Sequence, residues 1–174
     1  MRTLAIVVLC LLTTACGFQL RGQAKLPFET LYVAIPAISP LGIELKRNIV
    51  AGTHTRLVNT PAEAQAIFEL TSEERGKSIL SFDTTGQVRE FQLRYRLSFR
   101  VRDAHGRDYL PQSEIRATRD VSYSSTQVLA KESEEQLLFR DMQSDMVQQI
   151  LRRLAAAPAQ PIAFEPEPGN ATAR

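Results

Sequence analysis

Tryptophan is absent from the 174 residues, cysteine and histidine occur twice each, and only four of the 21 basic residues are lysine. The scarcity of histidine removes most metal chemistry: His54 and His105 have no partner at ligand spacing. No G-x-S-x-G elbow, P-loop or G-x-G-x-x-G occurs, so neither nucleophile nor nucleotide chemistry has a foothold. The chain reads as a non-enzyme without a cofactor. No apolar run approaches the ~20 residues that a membrane-spanning helix needs. Neither sign of charge dominates, with 21 Lys+Arg against 19 Asp+Glu, which excludes both an acidic disordered chain and a histone-like basic one. The length suits one domain.

The longest apolar run, Leu4 to Leu12, follows Met1-Arg2 and has the length of a signal-peptide core. It leads through Thr13-Thr14-Ala15 to Cys16-Gly17, small residues running into a cysteine. This resembles the bacterial lipobox, where the signal is cut before a diacylated cysteine and the new amine is acylated. The alternative is an ordinary secretory signal with Cys16 left free. Cys10 leaves with the signal, so Cys16 is then the only thiol and no internal disulfide forms. Residues 1–15 are expected to be the signal, and residues 16–28 an acylated tether. Three acyl chains exceed the two needed for stable attachment. Gly17 is not the aspartate that tends to retain lipoproteins in the inner membrane, which favours the outer membrane, facing the periplasm.

Residues 29–157 are expected to form one domain, and the proline-rich stretch 158–174 a disordered tail. Leu31-Tyr32-Val33-Ala34-Ile35 reads as a strand closed by Pro36. Ser39-Pro40 opens a helix as N-cap and first residue, with Leu41, Leu45 and Ile49 on one face and Gly52 as its stop. A brief strand is possible at 56–59. Ala66 to Ser72 alternates as a half-buried strand, continued by Ser78 to Phe82 beyond a bend at Gly76. From Phe91 to Arg102 twelve residues alternate without exception, apolar at odd positions and polar or basic at even ones. The turn cluster Asp103 to Asp108 then joins a return strand.

Ser133 and Gln136 resemble a capping box that starts a final helix, with Glu132, Glu134 and Glu135 at its positive end. Its stripe is Leu138, Met142, Met146, Ile150 and Leu154, thickened by Leu137, Phe139, Val147 and Leu151. The stripe suits either a core or a partner. The expected fold is α+β, a two-layer sandwich with two helices on one face of a four-stranded, mostly antiparallel sheet.

Residues 89–119 hold eight of the 17 arginines against four acids. This basic face is either a solvated surface, its Arg stems covering apolar area, or a docking surface for anions, which the guanidinium fork matches bidentately. The face has no interleaved aromatics, which argues against nucleic-acid stacking. In a periplasmic setting the available polyanions are lipid phosphates.

Together these features resemble the LPS-assembly lipoproteins, the LptE family, which sit inside the outer-membrane barrel LptD. The matching residues are Cys16-Gly17-Phe18-Gln19-Leu20-Arg21-Gly22, Gly86-Gln87 before the long strand, and Leu129-Ala130-Lys131-Glu132 with Glu135-Gln136. The resemblance implies a one-to-one complex with LptD in which the lipoprotein plugs the barrel, assists its assembly and binds lipopolysaccharide (LPS). It also implies an LPS contact at a lysine near the last helix, which maps onto Lys131. A second contact, a basic residue in the loop before the long strand, falls on Thr84, which is not basic. Arg89 or Lys77 would then supply the charge. The loop Phe82, Asp83, Thr84, Thr85 and Gly86 is expected to point into the barrel. The other reading is a generic outer-membrane lipoprotein adaptor, such as a pilotin for another secretion barrel, without LPS affinity.

Overall fold

Leu31 and Val33 alternate inward along the first strand, and the element order that follows is set by what must cover them. The computed structural model describes residues 25–123 and 128–162. Strand β1 (Thr30–Ala34) leads to helix α1 (Pro40–Gly52), then β2 (Arg56–Leu57) and a 3-10 turn at Pro61–Glu63. Three long strands follow, β3 (Ala66–Phe82), β4 (Val88–Arg102) and β5 (Asp108–Ser122), and helix α2 (Val128–Ala155) closes the fold. The expected signal, Cys16 and the tail beyond Ile162 lie outside the described residues. The folded part reaches back into the stretch expected to be tether: Leu26 and Phe28 are buried, and Phe28 packs edge-on to Tyr109 at 5.8 Å.

Among the described residues the α+β sandwich with two helices is as expected, but the sheet has five strands, in the order β2-β1-β3-β4-β5. It is also mixed, since β1 pairs parallel with both β2 and β3. The cause is α1, which carries the chain back to its starting end, so that the next strand must run parallel. Only β3, β4 and β5 form the antiparallel meander.

Helix α1 starts as expected, with the Ser39 hydroxyl accepting from the Gly42 N–H at 3.3 Å and Pro40 next. Leu41, Leu45 and Ile49 are fully buried. Gly52 is the last helical residue, yet Thr53 makes the stop: its N–H and its hydroxyl both reach the Ile49 carbonyl, at 3.0 and 2.8 Å. The bend expected at Gly76 is not there, because Gly76 sits in register opposite Arg94 in an unbroken β3. The irregularities fall on either side, between Leu70 and Ser72 and around Ser81.

Both hairpins of the meander turn on one device. Asp83 Oδ1 accepts from the N–H groups of Thr85 and Gln87, and Asp103 Oδ1 from those of His105 and Arg107. Three residues on from each aspartate, Gly86 and Gly106 take φ of 83° and 86°, a conformation open mainly to glycine.

Helix α2 begins at Val128, about a turn and a half before the expected capping box. Ser133 is therefore inside the helix, its hydroxyl donating to the Leu129 carbonyl. Met142, Met146, Val147, Ile150 and Leu154 are fully buried against the sheet, whereas Leu137, expected in the stripe, is 56% exposed. The first turns of α2 thus stand off the core.

Candidate functional site

Strands β3 and β5 run the same way, so the β3–β4 turn and the start of α2 share one end of the sheet. Here the chain assembles a cleft of about 260 Å³, lined by Lys77, Phe91, Val121 to Tyr123, Lys131, Glu132 and Glu135. Lys77 lies opposite Leu93 in the ladder, on the helix-covered face, one pair inward from Phe91 opposite Ile79 and Val121. Its ammonium stands 4.3 Å from the centroid of the Phe91 ring and pairs with Glu135. Lys131 reaches down from α2 to the Ser122 hydroxyl at 3.1 Å and to Glu134 at 2.8 Å. Phe91 and Tyr123 meet edge to face at 5.3 Å. The cleft therefore has an aromatic floor, two ammonium groups and a carboxylate rim. Ile79, Leu80, Phe82, Leu129 and Leu137, on the strand and helix segments that supply the cleft, are all exposed.

Next inward on the same face from Lys77, a polar network at Arg75 and Tyr95 holds α2 over the middle of the sheet. The buried Tyr95 hydroxyl donates to Glu73 at 2.6 Å and accepts from Arg75 at 2.9 Å, and Arg75 also donates to Gln143 on α2 at 3.0 Å. Burial, and then the Glu73 carboxylate, push the Tyr95 hydroxyl well above its usual range, so it stays a donor. Gln143 and Ser144 in turn donate to Glu44 of α1, and Arg119 of β5 pairs with Asp145 at 2.7 Å.

Of the three basic residues singled out in the sequence, Lys77 and Lys131 meet in the cleft. Arg89 does not line it; it lies exposed two residues before Phe91 on β4, its carbonyl accepting from the Tyr123 N–H at 2.8 Å. Phe82, Asp83, Thr84, Thr85 and Gly86 form the adjoining turn and are exposed. The Thr85 hydroxyl and the N–H of Gln87 hold the Asp83 carboxyl below its ordinary range, so the turn is anionic at its tip. Phe91, Tyr123, Glu134 and Glu135 were not recognised as site residues. Phe91 read as strand core and the glutamates as dipole partners; the available signal was that Phe91 ends the apolar parity just where the last helix must begin.

The basic face of β4 lies on the other side of the sheet, where neither helix of the described residues covers it, and it is charge-paired. Arg100 and Arg102 both grip Glu69 of β3, at 2.7 and 2.6 Å. Arg96 stands between Glu74 and Glu114, and Glu114 also pairs with Arg116. Among the described residues, Arg94 alone of these arginines has no carboxylate opposite it, with Gly76 and Thr118 as its cross-strand neighbours. The face is a ladder of ion pairs with little free positive charge.

Residues 28–154, from the first core aromatic to the last core leucine of α2, match the family described as "LptE: Lipopolysaccharide-assembly". The chain belongs to the LptE family. Its relatives include the LPS-assembly lipoproteins LptE of Photorhabdus laumondii, 25% identical over 155 residues (87% of this chain, 84% of that protein), and of Pectobacterium atrosepticum, 25% identical over 156 (87% and 83%). Among solved structures, an uncharacterized lipoprotein B from Nitrosomonas europaea is similar with a TM-score of 0.70 and 44% identity, over 80% of this chain and 91% of that one. A minor lipoprotein from Acinetobacter baumannii shares the fold at TM-score 0.62 and 24% identity, over 74% and 92%. A role in LPS assembly follows from LptE membership, and its lipoprotein relatives are consistent with an outer-membrane lipoprotein.

Proposed function

We propose that this chain is anchored in the periplasmic leaflet of the outer membrane through acylated Cys16, plugs and helps assemble the LptD barrel, and binds LPS during its insertion into the outer leaflet. The observation that carries the reading is the convergence of Lys77 and Lys131 over Phe91 and Tyr123 in one cleft, on segments that also expose several apolar side chains. Lipid A joins phosphates to acyl chains, and this cleft offers ammonium groups beside hydrocarbon. Because Thr84 is not basic, Lys77 supplies the second cation from β3, and Arg89 adds charge at the rim.

The dimensions support the same reading. The chain enters the fold at Phe28 beside Tyr109, at the start of β5, whereas the cleft lies at Val121 to Tyr123, at its end. Along an extended strand these are about 40 Å apart, more than the ~30 Å of bilayer hydrocarbon. A molecule tethered in the inner leaflet and standing upright in a barrel thus carries its cleft to the level of the outer leaflet. The lumen of a large barrel is polar and wet, and the ion-paired outer face of the sheet suits it. Screening limits charge attraction to about 8 Å, so LPS must touch the cleft itself.

The partner reading is tested by extracting membranes in mild detergent and purifying the acylated chain by affinity. A stable one-to-one complex with LptD is expected. Its absence, with the chain correctly located, would favour an adaptor for a different barrel.

A further inference from the structure

Both lysines of the cleft are already engaged. Lys77 pairs with Glu135, and Lys131 with Glu134 at 2.8 Å. The two glutamates are consecutive on α2, and together they occupy the cations that an anionic ligand needs. Neither pair is deeply buried: side-chain exposure is 38% and 25% for Lys77 and Glu135, and 20% and 46% for Lys131 and Glu134. Pairs of this kind exchange partners at small cost. Each lysine also has a neutral support that stays when its glutamate lets go, the Phe91 ring for Lys77 and the Ser122 hydroxyl for Lys131.

Building on the reading of the cleft as an LPS site, we propose that Glu134 and Glu135 are intramolecular competitors that determine its selectivity and hold its affinity down. A carboxylate presents one charge and two oxygens, whereas a phosphomonoester presents up to two charges and three oxygens. A phosphate therefore displaces the glutamates from lysines that remain aimed into the cleft, and a lone carboxylate gains nothing by the exchange. The freed glutamates turn to solvent, which their partial exposure allows. A site that must break two ion pairs to load is also quick to unload, which suits a carrier that passes its ligand on.

The test measures the affinity of the full acylated chain in detergent for purified LPS, and for the same LPS after chemical dephosphorylation. Glu134→Gln and Glu135→Gln keep side-chain shape and hydrogen bonding while removing the competing charge. Each is expected to tighten binding of intact LPS roughly two- to fivefold, and to leave binding of the dephosphorylated form unchanged. Lys77→Met and Lys131→Met are measured beside them. If the lysine variants weaken binding and the glutamate variants do not tighten it, the competitor role is overturned while the cleft stands. Equal tightening toward dephosphorylated LPS would also overturn it, as the sign of a changed helix rather than a freed cation. If the lysine variants bind like the wild type, the cleft itself is wrong, and the competitor role falls with it.

Discussion

Gly42 has no room for a side chain, because a Cβ there would stand 2.8 Å from Cγ2 of Ile35 and 3.2 Å from its Cβ. The glycine lets α1 settle against the end of β1, and a β-branched neighbour has few ways to yield. Gly42→Ala is therefore expected to destabilise the fold by about 1–3 kcal/mol despite the better helix propensity of alanine, read as a lower denaturation midpoint at unchanged slope. Single residues of this sort were partly legible in the sequence. Ser39 and Pro40 identify a helix start by local chemistry alone, and they form one. The first helix stops at Gly52 as read from the sequence, but it is Thr53 that caps it, through its own hydroxyl. The Ser133 capping box failed: the same hydroxyl that can cap a helix can also bond back to a carbonyl inside one, and only the packing of α2 decides between them.

Strand β4 was the most legible element, since its alternation names both faces without help from neighbours. The charge state of its outer face was not legible, because the carboxylates that neutralise it come from other strands. Glu69 and Glu74 lie on β3, 22 to 33 residues before the arginines they pair with, and enter only through the register. Counting charge along one hairpin therefore overstated the free positive potential. Glu69 serves two arginines at once, and the hydrogen bond from Arg102, helped by Arg100 against the cost of burial, lowers its pKa from the ordinary 4.5. A lowered carboxylate contributes stability that is fully present above its unfolded value and is lost as pH falls through the folded one. Glu69→Gln is expected to reduce stability at neutral pH by about 1–2 kcal/mol. It should also flatten the loss of stability below pH 4.5, as followed by urea midpoints across the acid range. An unchanged acid limb would show that the Glu69 pairs contribute nothing.

At the scale of the whole molecule, the sandwich and its two helices followed from the order of patterned segments. The brief strand read at 56–59 is there as β2, but its place in the sheet and the parallel pairings did not follow, since two residues carry no period that would assign them a neighbour. The site was legible only in fragments. Lys77 and Lys131 are 54 positions apart and meet because α2 begins at the tip toward which β3 runs, a fact of topology rather than of spacing. Their meeting place also collects the exposed apolar residues of two elements, at the opposite end from the point where the chain enters the fold. The decisive measurement is the affinity of the acylated Lys77→Ala/Lys131→Ala double variant for purified LPS, beside the wild type, with LptD co-purification and thermal unfolding as controls. A loss of tenfold or more, with the partner complex and the melting temperature retained, is the expected result. Wild-type affinity in the double variant would contradict the assignment of LPS binding to this cleft.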